Sequence, residues 1–131
     1  MNTNYKQVLV WRKDLNVRKG KIAAQLAHAS IKWLTDRIKK NLDKKVSDLL
    51  TEEEESWING NFKKVVVYVE NEGELLKLFD SAKESGLTVS LITDAGLTEF
   101  HGQPTNTCLC IGSHLNEKID PLTKDLKLHI S

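Results

Sequence analysis

Apolar residues along the chain follow two rhythms. Short β-favouring runs occur within Lys6–Arg12, Lys63–Glu70, Leu87–Thr93 and Thr107–Ile111, and each reads as a strand, the first of them, bounded by charges, as a buried one. Longer segments carry helical spacing. Lys21 to about Lys40 is rich in good helix formers and lacks Gly and Pro. Asp43–Asn59 predicts a second helix, in which Thr51 and Glu54 form a capping-box signature ahead of Trp57 and Ile58, and Gly60 ends it. Asn71–Gly86 predicts a third, with Leu75, Leu76, Leu78, Phe79 and Ala82 apolar and Gly86 closing it. Lys13–Gly20 and Asp94–Asn106 read as loops. A polar stretch after Ile111 leads to a last apolar segment, Leu126–Ile130.

Strands alternating with helices imply an α/β fold whose sheet is covered on both faces. Ligand sites in such sheets gather at the C-terminal ends of strands, which singles out the two polar loops. At 131 residues and 40% hydrophobic content, the chain is expected to form one domain, 1–131, with one core. No repeat, linker-like stretch, secretory signal or bilayer-length apolar run is found, so a soluble, cytoplasmic protein with no membrane partner is expected. Cys108 and Cys110 are too close for a structural staple and too few for a metal set, and read as reduced core residues. The four histidines are scattered without zinc-site spacing, so neither metal nor cofactor is expected.

Charge sharpens the picture. The net charge is +1, yet residues 1–45 carry twelve Lys/Arg against three acids, while residues 46–131 carry seven against fifteen. A basic N-terminal third suits a polyanion such as RNA; pairing between oppositely charged halves is the plainer alternative. Within the first helix Lys21, Gln25, His28 and Lys32 share an arc of about 60°. Apolar residues fill most of the remaining circumference, which implies packing against more than one neighbour. The stripe could be simple solvent exposure, but Lys21 near the helix start opposes the helix dipole, and that favours a working cation there. Gly20-Lys21 is no P-loop, since the earlier glycine is missing and Ile22 replaces the magnesium-binding hydroxyl. Asp94 ends an apolar strand beside the flexible Gly96, a placement that serves catalysis or an ordinary Asp turn equally. Thr105 and Thr107 follow across the loop.

Val8-Leu9-Val10-Trp11-Arg12-Lys13-Asp14-Leu15, Gly20-Lys21-Ile22-Ala23-Ala24-Gln25 and His28-Ala29 together resemble the N-terminal signature of type-2 peptidyl-tRNA hydrolases. Lys64-Val65-Val66-Val67 fits that family's second strand. Asp94-Ala95-Gly96-Leu97-Thr98-Glu99, Thr107, Ile111-Gly112 and Asp120…Leu126-Lys127-Leu128 resemble its C-terminal signature. The similarity runs from about Tyr5 to Leu128 with its parts in order. It departs at Val17, Arg18, Ser113 and Lys124, where methionine, glycine, proline and glycine are usual. The resemblance implies a three-layer α/β/α sandwich with a mixed, mostly parallel four-stranded sheet, often a homodimer. It also implies metal-independent hydrolysis of the ester joining a peptide to tRNA, with Lys21, Gln25, His28, Asp94 and Thr98 as site residues. The later site threonine is Thr107 when counted back from Ile111-Gly112, and Thr105 when counted from Gly102.

Ester hydrolysis beside RNA needs a carboxylate for water, a donor for the oxyanion and cations for phosphates. Asp94 would handle water, with Lys21 serving the oxyanion or the terminal phosphates. Thr98 and Thr107 would position substrate or water, and His28 would shuttle protons or play a structural part. Arg12, Lys13, Arg18, Lys19 and Lys32 would contact the tRNA backbone. Two competitors are a non-catalytic tRNA- or protein-binding module on the same fold and a hydrolase of some other small ester or amide.

Overall fold

A computed structural model describes residues 4–97 and 99–128 of the chain. Its central strand is β1 (Tyr5–Arg12). Residues Gln7 to Trp11 are buried in succession, because both faces of the strand are covered and no solvent side exists to enforce alternation. Val8 and Val10 enter one apolar cluster, whereas Leu9 and Trp11 enter another. The remaining strands are β2 (Lys64–Val69), β3 (Val89–Asp94), β4 (Thr105–Leu115) and β5 (Lys127–Leu128), and the sheet order is β3-β4-β1-β2-β5.

The helices are α1 (Lys19–Lys40), α2 (Glu52–Asn59), α3 (Glu72–Glu84) and α4 (Asn116–Thr123). Ala29 and Trp33 of α1 and Trp57 of α2 pack into the cluster holding Leu9, Trp11, Cys108 and Cys110. Leu75, Leu78 and Ala82 of α3 and Ile119 of α4 pack into the cluster holding Val8, Val10, Leu109 and Ile111. The two thiols are free and buried. Burial pushes Cys108 up to about 11 and Cys110 still higher, so both are inert thiols rather than nucleophiles. Among the described residues, no helix is long and apolar enough to cross a membrane.

Several expectations need correction. The sheet has five strands, not four, because Lys127 and Leu128 pair antiparallel with Tyr68 and Val67; His129 and Ile130 lie outside the described residues. The sheet is mixed but not mostly parallel. Among the described residues only β1 and β2 pair in parallel, while β1–β4, β3–β4 and β2–β5 are antiparallel. Strand β4 starts two residues earlier than Thr107 and runs four past Ile111, to Leu115. Gly112 and Ser113 look like strand breakers but belong to a bulge, where the register against β1 shifts between Lys6 and Gln7. Gly112 adopts φ +97°, and a Cβ there would meet the Lys6 carbonyl at 3.0 Å.

The helix expected over Asp43–Asn59 is interrupted. A 3-10 turn, Val46–Leu49, precedes α2, which starts at its Thr51/Glu54 capping box. Helix α4 replaces the expected polar stretch; Pro121 inside it hides the spacing that buries Ile119 and Thr123. Helix α1 packs by one face only, since Ala23, Ala24, Ala27 and Ile31 are exposed.

Candidate active site

The C-terminal end of β3 and the first turns of α1 meet across 73 residues of sequence. Lys21 Nζ donates to Asp94 Oδ1 at 2.8 Å, with both side chains largely shielded from water. Gln25, one turn along α1, donates its amide to the same oxygen at 3.2 Å. The Gly96 backbone N–H donates to Asp94 Oδ2 at 2.8 Å. These donors, the Lys21 ammonium first, hold the Asp94 carboxyl below its usual range against the opposing effect of burial. The carboxylate is therefore ionised and weakly basic.

Thr107 is fully buried and donates to Gln25 Oε1 at 2.7 Å. It thus fixes which end of the Gln25 amide faces Asp94. Thr105 instead donates to Gln103 O, within its own loop. Gly96 sits at φ +82°, and a Cβ there would lie 2.3 Å from Gln103 O. Only glycine fits there, and its carbonyl in turn accepts from Gly102 N at 2.7 Å. The Phe100 ring lies 5.7 Å from Lys21 Nζ, at cation–π range.

A cleft of about 400 Å³ opens beside Lys21, lined by Arg18, Gly20, Lys21 and Glu99. Arg18 pairs with Glu99 at 3.1 Å at its mouth. An apolar groove of about 340 Å³ beside α3 and α4, lined partly by Leu78, Pro121 and Leu122, holds no comparable chemistry. Among the described residues, no three His, Cys, Asp or Glu side chains cluster as a metal site requires.

The expected residues fall into three groups. Lys21, Gln25, Asp94 and Thr107 form one connected hydrogen-bonded set. Thr98 lies outside the described residues. His28 is exposed on α1, about 10 Å along the axis from Lys21. Of the cations, Lys13, Arg18 and Lys19 are exposed, and Lys13 lies 4.8 Å over the Tyr68 ring. Lys32 pairs with Asp36 at 2.6 Å.

Arg12 is tied down: it grips both oxygens of Asp14 and donates to Asn106 O at 2.9 Å. Its neighbour Asn106 accepts from Thr93 Oγ1 at 2.6 Å and donates to Glu72 at 3.2 Å. This polar clamp across β1, β3, β4 and α3 went unread, because only the sheet order brings its residues together. The Gly96 N–H, by contrast, fits the Asp turn that the sequence allowed at Asp94, in which the side chain accepts from the amide two residues on.

Fold and site define an α/β protein with a shielded lysine–aspartate pair at the end of a strand, beside a basic loop. Residues 5–129 match the family model described as Peptidyl-tRNA hydrolase PTH2. A protein named Peptidyl-tRNA hydrolase from Thermococcus onnurineus is 43% identical over 124 residues, 95% of this chain and 97% of that one. One of the same name from Methanopyrus kandleri is 44% identical over 124 residues, covering 95% and 97%. A solved structure of a protein of unknown function from Agrobacterium tumefaciens superposes with a TM-score of 0.56 at 16% identity, covering 98% of this chain and all of that one, and so shares the fold. The chain belongs to the peptidyl-tRNA hydrolase PTH2 family.

Proposed function

We propose that this protein cleaves the ester between a peptide and the terminal ribose of tRNA by direct attack of water, without a metal. Water adds to the carbonyl carbon, the bond to the ribose oxygen breaks, and the proton passes to that oxygen. The observation carrying this reading is the 2.8 Å contact between Lys21 and Asp94, made where the basic loop meets the sheet. Asp94, already receiving several donors, orients the water more than it deprotonates it. Lys21 offsets charge on the oxyanion or the terminal phosphates. Gln25 and Thr107 keep the pair in place, and Thr98 adds a hydroxyl for substrate or water. His28, out on the stripe, serves a structural part or proton exchange at the rim.

Lys13, Arg18, Lys19 and Lys32 would meet tRNA phosphates, while Arg12 adds to the local potential from within its clamp. The same reading takes 1–131 as one domain with helices in two layers around the sheet; separate apolar clusters, one with α1 and α2 and one with α3 and α4, support it. It includes a homodimer, for which exposed Ile31, Ile58 and Phe62 offer an apolar face, and a cytoplasmic location, where the substrate arises.

The test is release of peptide from peptidyl-tRNA, with a free N-blocked amino-acid ester alongside. Asp94→Asn and Lys21→Ala are each expected to slow release at least about tenfold. Folded variants with wild-type turnover would remove these residues from the mechanism. Cleavage of the free ester at a comparable rate would point to a general esterase.

A further inference from the structure

Lys21 and Gln25 enter the cleft from one line of α1, and that line continues down the helix. Alternating steps of four and three residues lead from Lys21 through Gln25, His28, Lys32 and Thr35 to Lys39, all within about 40° of Lys21 around the axis. The rise from Lys21 to Lys39 is about 27 Å. Lys40 closes the helix, and Lys44 and Lys45 follow in the next turn.

Lys39, Lys40, Lys44 and Lys45 are exposed, and none joins an ion pair among the described residues. Arg37 is committed to Glu54, and Lys32 to Asp36. From residue 37 to residue 45 the only acid is Asp43. Lys39 and Lys40 offset the dipole at the helix end; Lys44 and Lys45 lie beyond its reach, and although their backbones bond Asn41 and Asp48, their side chains join no ion pair among the described residues.

We propose that this end of α1 and the turn after it form a second phosphate-binding patch, which takes the double-helical stem of the tRNA whose 3′ end lies in the cleft. The proposal rests on the hydrolase reading above. A patch so far from the ester lies beside the paired part of the substrate, where an RNA helix offers backbone and 2′-hydroxyls rather than readable bases. Lysine contacts to phosphate carry no sequence information, which suits an enzyme that must accept many tRNAs. Exposed Leu42 and Val46 beside these lysines also bring an anionic lipid surface to mind. Continuity of this polar line with the catalytic cleft favours the nucleic acid.

The experiment compares wild type with the Lys39→Gln/Lys40→Gln/Lys44→Gln/Lys45→Gln variant on two substrates, intact peptidyl-tRNA and the same ester on a CCA trinucleotide. On intact substrate, KM is expected to rise about tenfold at unchanged kcat, and the salt dependence of kcat/KM to become shallower by about two to four in log–log slope. On the trinucleotide, both enzymes should perform equally. Unchanged KM and salt slope on intact substrate overturn the proposal, whatever the variant does on phosphatidylserine vesicles; so does an equal loss on both substrates. Binding of deacylated tRNA is measured in parallel. If wild type cleaves neither substrate, the hydrolase reading fails, and loss of tRNA affinity in the variant still decides the patch.

Discussion

Asp94 shows what a single side chain loses and gains by its neighbours. With Lys21, Gln25 and Gly96 all donating to it, the folded-state carboxyl is held below its ordinary range. Its contribution to stability is therefore present above the unfolded carboxyl's range and lost as pH falls through the lower folded value. Two results follow. The pH profile of kcat/KM should show no limb from Asp94 between about pH 5 and neutrality, and such a limb in the wild type that persists in a Glu99→Gln control, which removes the other carboxyl at the mouth, would contradict the assignment. The stability gap between wild type and Asp94→Asn should also close as the solution is acidified below the carboxylate range. Thr107 poses a different question, because its hydroxyl is buried and reaches Asp94 only through Gln25. Thr107→Val leaves the Gln25 carbonyl without its donor, a loss of about 1 kcal/mol and hence about five- to tenfold in kcat with KM little changed. Thr107→Ser should restore most of it. A Thr107→Val enzyme altered only in KM would mean that the hydroxyl touches substrate after all.

At the scale of elements, chemistry was easier to read than connection. The first strand, the long helix and the Asp94 turn were legible because each carries its own signal: a β-favouring run, a stretch without breakers, an acid two residues before glycine. Gly112-Ser113 and Pro121 misled, since residues that usually interrupt an element here sit inside β4 and α4. The apolar residues spread around α1 misled differently. Small residues permit close packing without requiring it, and here several face water. Nothing local could reveal that Arg37 of α1 would reach the capping residue of α2. Glu54 is buried, accepts from both Arg37 nitrogens at 2.5 and 3.0 Å, and still caps its own helix through Thr51 N. Arg37→Met strands that carboxylate and should cost about 3 kcal/mol, read as a lower urea midpoint. Adding Glu54→Gln, which keeps the cap and removes the charge, should return much of the loss. If the double variant is no better than the single one, the arginine matters for its packing on Trp33 instead.

Across the whole molecule, recognition and chemistry share one long helix, which puts an ammonium into the cleft at one end and lysines at the other. The sheet joins distant parts of the chain in the same way. Its middle pair, β1 and β4, comes from residues 5–12 and 105–115. Such a pairing closes a very long loop, and the topology is correspondingly slow to assemble. A ribosome making this protein must therefore release nearly the entire polypeptide before the heart of the sheet can knit. A chain halted at residue 104, still tethered, should be degraded by protease as readily as an unfolded one, and protection should arrive only once Leu115 has cleared the exit tunnel.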